Sequence, residues 1–211
     1  MSFNRRRFLQ TALILGLMPL AACSRTRKFS ELPAGSRVLA LGDSLTAGHG
    51  AAAGQDYPAQ LAQISGWAVI NGGVSGDTSA EALQRLPELL KERPELVLIG
   101  IGGNDFLRKL PESETRRNVR EMVDLVREKH IDAVLIAEPH FTTGAVLGFV
   151  SDHPMYAELA EELNIPLFAD GWSEILSDKK LTSDPIHANA KGYRVFAEAL
   201  ASFLTKQGWL A

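Results

Sequence analysis

The hydrophobic pattern of the chain predicts five buried strands. Five short runs are apolar at consecutive positions and consist mostly of leucine and β-branched residues. A strand of this kind buries both of its faces, which is typical of parallel sheets covered by helices. The predicted strands are RVLALG at 37–42, WAVIN at 67–71, ELVLIGIG at 95–102, DAVLIA at 132–137 and IPLF at 165–168.

Helical periodicity is found between and after these runs. Helices are predicted at 77–92, 113–129, 155–163 and 188–204. Thr78 and Glu81 form a capping box at the start of the first helix. The predicted apolar faces consist of Leu83, Leu86 and Leu90 in the first helix, Val119, Val123 and Val126 in the second, and Val195, Phe196, Ala199, Leu200 and Phe203 in the last.

The alternation of strands and helices predicts an α/β fold, a three-layer α/β/α sandwich around a parallel sheet. Right-handed crossovers place helices on both faces of such a sheet. Ligands of these folds bind beyond the carboxyl ends of the strands. Candidate functional residues are therefore expected where each apolar run stops.

Small and hydrogen-bonding residues follow the predicted strands. Ser44 comes just after the first strand, Gly76 after the second and Asn104 after the third, while Asp184 and His187 lie beyond the fifth. A serine hydroxyl needs a base within hydrogen-bond reach to act as a nucleophile, and a histidine held by a carboxylate supplies one.

These residues can form an acyl-transfer site. The predicted catalytic residues are Ser44, His187 and Asp184. The backbone N–H groups of Ser44 and Gly76 and the side-chain amide of Asn104 can donate hydrogen bonds to a tetrahedral intermediate, as in an oxyanion hole. This chemistry needs no cofactor and no metal. The histidines at 49, 130, 140 and 153 show no metal-ligand spacing, although His140 and His153 could contact substrate.

Four motifs of the chain, in this order, resemble those of the GDSL esterases, also called SGNH hydrolases. They are GDSLTAG from Gly42, SGDTS around Gly76, GGND around Asn104 and DPIH ending at His187. The chain is most similar to the bacterial thioesterase I, lysophospholipase and arylesterase group of that family. The resemblance implies the same catalytic and oxyanion residues. It also implies a flavodoxin-like five-stranded sheet with the order 2-1-3-4-5.

Two features depart from the family pattern. The family usually has proline after the catalytic histidine, where this chain has Ala188, and the loop at 138–153 is unusually apolar. We expect Phe141, Leu147 and Phe149 in that loop to line a substrate pocket, with burial of a short helix on the core as the alternative. Asp43 and Asp105 are expected to brace loops by accepting backbone hydrogen bonds.

The first residues of the chain predict export and anchoring. Three arginines precede a short apolar run in 1–22, which is typical of a secretory signal. NRRRFLQ resembles a twin-arginine signal, although Sec signals can also begin with arginines. LAAC resembles the lipobox of bacterial lipoproteins, so Cys23 is the predicted lipidation site. A plain signal peptide with an incidental cysteine is the alternative. Residues 23–36 are then a lipidated cysteine and tether, and 37–211 the hydrolase domain.

Composition excludes some partners. The chain has 211 residues and a formal net charge of −3, which does not suggest a nucleic-acid partner.

Taken together, these features of the sequence predict a monomeric, lipid-anchored esterase in the bacterial cell envelope, either periplasmic or surface-exposed. The predicted substrates are aryl or short-chain esters, lysophospholipids or thioesters. An O-acetyl esterase acting on polysaccharide or cell-wall glycan is one alternative. A surface lipoprotein that binds ligand without turnover is another.

Overall fold

A five-stranded parallel sheet forms the centre of the protein, as a computed structural model describes it for residues 29–140 and 150–211. The strand order is β2-β1-β3-β4-β5, which confirms the predicted topology. The strands of this sheet are β1 Arg37–Gly42, β2 Ala68–Gly73, β3 Leu96–Gly100, β4 Asp132–Ile136 and β5 Leu167–Phe168. A separate antiparallel pair consists of β6 Thr182–Asp184 and β7 His187–Ala188.

Helices cover both faces of the sheet. They are α1 Ser44–Ala47, α2 Tyr57–Ser65, α3 Ser79–Leu89 with a 3₁₀ turn at Leu90–Glu92, α4 Gly103–Leu107, α5 Glu112–Glu128, α6 Met155–Leu163, α7 Gly171–Ser177 and α8 Ala190–Gln207. Side chains of α2, α7 and α8 pack against one face of the sheet, and those of α3, α5 and α6 against the other. No helix in the described ranges has the length and apolar character needed to cross a bilayer.

Strand β1 shows why the apolar runs form this sheet. Val38 and Ala40 belong to one core cluster, whereas Leu39 and Leu41 belong to the cluster on the opposite face. All four side chains are fully buried. Successive side chains of a strand point to opposite faces, so a consecutive apolar run fills both cores.

The predicted helix caps and apolar helix faces are only partly correct. Thr78 and Glu81 form the expected capping box. In α8, however, Val195 and Ala199 face solvent, so this part of the predicted apolar face is wrong. The buried face is rotated toward the neighbouring positions Tyr193, Phe196, Ala197, Leu200, Ala201 and Leu204. Strand β2 is less buried than predicted because it lies at the edge of the sheet.

The chain from Phe29 onward, which the sequence analysis assigned to the tether, lies against the end of α8. The Phe29 ring stacks on Trp209 with 3.9 Å between centroids. The Leu32 N–H donates to the Trp209 carbonyl at 2.9 Å. Trp209 also donates from Nε1 to Asp132 Oδ2 at 3.2 Å, at the amino end of β4. This segment therefore contacts the edge of the sheet where the strands begin.

Two glycines allow α1 to lie against the carboxyl ends of the strands. A Cβ at Gly73 would be 2.2 Å from the backbone nitrogen of Ala47 in α1. A Cβ at Gly42 would be 2.1 Å from Thr46 Oγ1 in α1 and 2.4 Å from the carbonyl oxygen of Gly100 in β3. The contacts with Ala47 and Gly100 involve backbone atoms, which cannot move aside as a flexible side chain can. The position of α1 therefore depends on the absence of side chains at both sites.

We expect Gly73→Ala to lower the free energy of unfolding by about 1–3 kcal/mol, since the added methyl group would overpack the contact with α1. Urea denaturation would measure the loss. Gly54→Ala is the matched control because no atom of the described residues lies within 4 Å of a Cβ there, although its φ of +79° adds backbone strain. A loss at Gly73 no greater than that at Gly54 would contradict the steric explanation.

Candidate active site

Ser44 is presented by the turn that joins β1 to α1. It is the first residue of α1, and Asp43 caps the helix by accepting the Leu45 N–H on Oδ1 at 3.0 Å. The first N–H groups of a helix have no acceptor within the helix, so the Ser44 N–H is available to a ligand. The apolar run of β1 thus ends in a turn that holds one hydroxyl and one backbone donor at the sheet edge.

His187 and Asp184 lie next to Ser44, as the sequence analysis predicted. His187 Nε2 is 3.0 Å from Ser44 Oγ, across 143 positions of the chain. Its Nδ1 is 2.9 Å and 2.8 Å from the two carboxylate oxygens of Asp184. The β6–β7 pair fixes this arrangement, because Asp184 and His187 are opposite one another in the ladder. The three side chains form one continuous hydrogen-bonded chain.

The Asp184 carboxylate is held in its charged form. Partial burial raises its pKa, but the backbone N–H of Ile186 and the His187 side chain outweigh that effect. The net result is a pKa below the ordinary value for aspartate. Ile186 donates its N–H to Asp184 Oδ1 at 2.9 Å. Asp184 can therefore accept a hydrogen bond from the Nδ1–H group of His187 and fix the orientation of the ring.

Gly76 presents a second backbone donor. Its φ of +89° lies in the left-handed region that favours glycine. The Arg108 guanidinium donates from Nη2 to the Gly76 carbonyl at 2.6 Å and holds this peptide in place. Within the described ranges the Gly76 N–H makes no hydrogen bond. The Gly76 N–H is therefore available to donate a hydrogen bond to a ligand.

Asn104 reaches the site, but its amide is already engaged. Nδ2 donates to Asp43 Oδ2 at 3.1 Å and to the Asp77 carbonyl at 3.0 Å. A primary amide has two N–H donors, so both are used here. One of these bonds has to open before Asn104 can donate to a ligand.

These residues surround one cavity of about 290 Å³ at the carboxyl edge of the sheet. Apolar walls are provided by Leu45, Leu107 and Ile186. The polar lining consists of Asp43, Ser44, His49, Ser75, Gly76, Asn104, Glu138 and His187. The predicted substrate contacts Phe141, Leu147 and Phe149 lie outside the described residues, as does the predicted lipidation site Cys23.

Glu138 is a cavity residue to which sequence reasoning assigned no role. It lies two residues after the end of β4 and is only 1% exposed. Among the described residues, neither carboxylate oxygen has a hydrogen-bond partner. Burial, followed by the charges of Asp43 and Asp152, raises its pKa well above the ordinary value. The visible signal was a lone acidic residue at the end of a buried apolar run.

Asp43 shares this acidic environment. Burial raises its pKa to about 7, against the lowering effect of the Leu45 N–H and the Asn104 amide. The charges of Asp105 and Asp77 raise it further. Ionisation of Asp43 is thus unfavourable, although its carboxylate accepts hydrogen bonds from the Leu45 N–H and the Asn104 amide.

The bracing roles predicted for two aspartates are confirmed. Asp43 accepts the Leu45 N–H, and Asp105 accepts the Ser79 N–H at 2.8 Å. Asp105 also bonds the Ser79 and Thr115 hydroxyls, which joins α3 to α5.

Of the two histidines expected near substrate, His153 is turned away from the candidate site. It is buried against Phe106, with parallel rings 4.0 Å apart, and lines a separate cavity. The His140 ring lies 4.5 Å from it.

The arrangement can move a proton from a serine hydroxyl to an imidazole beside two backbone donors. Such a site can stabilise an oxyanion that forms next to the serine oxygen. These are the elements of nucleophilic acyl transfer.

Comparison with known proteins gives a consistent result. A sequence model of the GDSL-like lipase/acylhydrolase family matches residues 40–195. The chain is 32% identical over 175 residues to thioesterase 1/protease 1/lysophospholipase L1 of Escherichia coli K12, covering 81% of this chain and 84% of that protein. It is 30% identical to an arylesterase of Vibrio mimicus, covering 82% and 90%.

Among solved structures, the fold resembles the psychrotrophic esterase EstA from Pseudoalteromonas sp., inhibited by monoethylphosphonate. The TM-score is 0.69 at 26% identity, and the match covers 81% of this chain and 97% of that one. The structure titled TesA matches with a TM-score of 0.71 at 26% identity, covering 82% and 99%.

We expect Glu138→Gln to stabilise the protein more at pH 8 than at pH 5. The folded-state pKa of Glu138 is raised, so the folded protein retains a proton that the unfolded chain releases above about pH 4.3. Wild-type stability therefore falls as pH rises through this window, by about 1.4 kcal/mol for each unit by which the two pKa values differ. Glutamine does not titrate and removes this loss.

Urea denaturation at the two pH values measures the effect. The exposed Glu161 provides the control, because Glu161→Gln should change stability little and equally at both pH values. A stability difference between wild type and Glu138→Gln that does not change with pH would show that Glu138 ionises normally.

Proposed function

Because the chain belongs to the GDSL-like lipase/acylhydrolase family of ester hydrolases, we propose that it cleaves carboxylic esters through an acyl-enzyme on Ser44. The observation that carries this proposal is the hydrogen-bonded chain from Ser44 Oγ through His187 to Asp184, with distances of 3.0 Å and 2.8–2.9 Å. The esterase names of the relatives support the class of reaction.

In the first half of the reaction, His187 Nε2 takes the proton of Ser44 Oγ while that oxygen bonds to the carbonyl carbon of the ester. Asp184 accepts the hydrogen bond from the Nδ1–H group and stabilises the imidazolium that results. The tetrahedral intermediate then collapses, and the imidazolium gives its proton to the departing alcohol or thiol. The acyl group remains on Ser44.

The negative charge on the carbonyl oxygen needs donors in place before it forms. The N–H groups of Ser44 and Gly76 are the two donors that require no rearrangement. Asn104 supplies a third by exchanging its bond to Asp43 for one to the oxyanion. The raised pKa of Asp43, caused mainly by burial, favours this exchange because a protonated Asp43 is a weaker acceptor.

In the second half, a water molecule replaces the alcohol. His187 takes a proton from this water, its oxygen attacks the acyl carbon, and the second tetrahedral intermediate releases the acid. The proton returns from His187 to Ser44 Oγ, which restores the starting state. The same donors serve both intermediates.

We propose aryl and short-chain esters, lysophospholipids and thioesters as the substrate classes. A cavity of about 290 Å³ lies at the lower end of the usual size range of ligand pockets, which favours a small acyl or aryl group among the described walls. The names thioesterase, lysophospholipase and arylesterase of the relatives support this range.

We also propose that the enzyme is exported and anchored to a membrane of the cell envelope by a lipid on Cys23. Support comes from the sequence alone, through the arginines and apolar run of 1–22 and the LAAC motif that ends at Cys23. The domain would then act outside the cytoplasm.

Replacing the nucleophile provides the direct test of the reaction. Ser44→Ala should lower kcat/KM on p-nitrophenyl butyrate by at least about 10⁴-fold, since the acyl-enzyme cannot form. Ser75→Ala removes a neighbouring hydroxyl from the same cavity and should retain most of the activity. Undiminished turnover by Ser44→Ala would refute the mechanism. A panel of acyl esters, lysophospholipids, thioesters and acetylated glycans would rank the substrates.

The anchor has its own test. We expect the full chain produced in a bacterium with lipoprotein processing to appear in the membrane fraction and to incorporate labelled palmitate. Cys23→Ala should abolish the label and release the protein, because the thiol that carries the lipid is absent. Equal labelling and membrane recovery of the wild type and Cys23→Ala would exclude Cys23 as the anchor. Ser24→Ala, at the neighbouring position, is the control.

A further inference from the structure

His49 lies beside the catalytic residues and takes no part in the mechanism above. Its backbone N–H donates to the Ser44 carbonyl at 3.0 Å, and its carbonyl accepts the Tyr193 hydroxyl at 2.7 Å. Gly48 and Gly50 flank it with φ values of +91° and +88°. The backbone of His49 is thus fixed at the site by contacts on both sides.

The turn that carries His49 packs closely on the β6–β7 pair. A Cβ at Gly50 would be 2.6 Å from the Ala188 carbonyl oxygen, directly after His187. The His49 and His187 rings are 4.2 Å apart between centroids and inclined at 43°. Within the described part of the chain, neither ring nitrogen of His49 makes a hydrogen bond, and the side chain is exposed. His49 therefore has an unused ligand atom next to His187.

Three potential metal ligands meet at this point. One ligand atom each from His49, Asp184 and His187 lies within 4.8 Å of the other two. Two imidazoles and a carboxylate form a donor set that Zn²⁺ accepts readily, whereas Mg²⁺ and Ca²⁺ prefer oxygen ligands alone. Ligands around Zn²⁺ bond at about 2.0–2.2 Å, so the three ligand atoms would have to move closer together, and the exposed His49 ring would have to turn toward its partners.

We propose that His49, Asp184 and His187 form an inhibitory binding site for Zn²⁺. Coordination at His187 Nε2 takes the lone pair that accepts the Ser44 proton. Coordination at Nδ1 instead releases the Nδ1 proton to solvent and replaces its hydrogen bond to Asp184. Either geometry interrupts the chain from Ser44 to Asp184, so the bound metal stops acyl transfer without being part of it. The inhibitory consequence rests on the proposed function, but the binding site does not.

A purely structural role for His49 makes a different prediction. If its ring only packs against His187, then His49→Phe preserves the contact and changes nothing that depends on zinc. If it is a ligand, His49→Phe keeps the aromatic ring and removes the nitrogen donors. The exposed His130, beyond the end of α5, provides the matched control as His130→Phe.

The first experiment titrates ZnCl₂ against hydrolysis of p-nitrophenyl butyrate by the full-length protein. Wild type should be inhibited reversibly, with activity restored by EDTA and unaffected by equal MgCl₂. His49→Phe should raise the inhibition constant by about tenfold or more, since loss of a ligand costs at least as much as loss of a supporting contact. His130→Phe should behave as wild type. Unchanged zinc sensitivity in His49→Phe would overturn the proposal.

The second experiment does not depend on activity. Calorimetric titration of Ser44→Ala with ZnCl₂ should show a binding event that is weakened by about tenfold or more in Ser44→Ala/His49→Phe. Cys23 is present in all variants, so the difference reports on His49. If the wild-type protein shows no esterase activity but His49→Phe still weakens zinc binding, the proposed function is refuted and the zinc site is supported. Equal binding by both variants would overturn the zinc site.

Discussion

The bond between Asp43 and Asn104 links the two turns from which the active site is built. Asp43 caps the helix that begins with Ser44, and its second oxygen accepts the side-chain amide of Asn104 after β3. The ends of two adjacent strands are therefore joined by one buried carboxylate that is 3% exposed. Until Asn104 exchanges this bond for one to a substrate oxygen, the link sets the spacing between the serine and the amide.

The sheet could be predicted from the sequence because β1, β3 and β4 are buried on both faces and appear as continuous apolar runs. Short elements could not. Helices α1 and α4 have too few turns to show a period, and α1 forms where Gly42 and Gly73 let its backbone approach the strand ends. The face of α8 was predicted in the wrong rotation because Phe196 and Leu200 each have apolar residues on both sides, so two neighbouring faces of the helix are similarly apolar.

The site was predictable to the extent that it follows strand ends. Ser44, Gly76 and Asn104 each follow a parallel strand, so the topology alone brings them to one edge. His187 and Asp184 required in addition the family resemblance and their three-residue spacing. Glu138 and His49 were not assigned roles, since no spacing in the chain reveals that one lies beneath the cavity and the other against His187. Their neighbours are brought to them only by the folded chain.

The contact of Phe29 with Trp209 fixes where the chain before residue 29 joins the domain, and that point lies away from the cavity. That contact lies at the edge where the strands begin, whereas Ser44 lies at the edge where they end. Residues 23–28 could span roughly 20 Å if fully extended, while a domain of this size is about 40 Å across. A chain fixed to a bilayer at Cys23 would hold the cavity mouth on the side remote from that bilayer. Such an enzyme would draw its esters from the surrounding fluid or from an opposing surface, rather than from the leaflet to which it is attached.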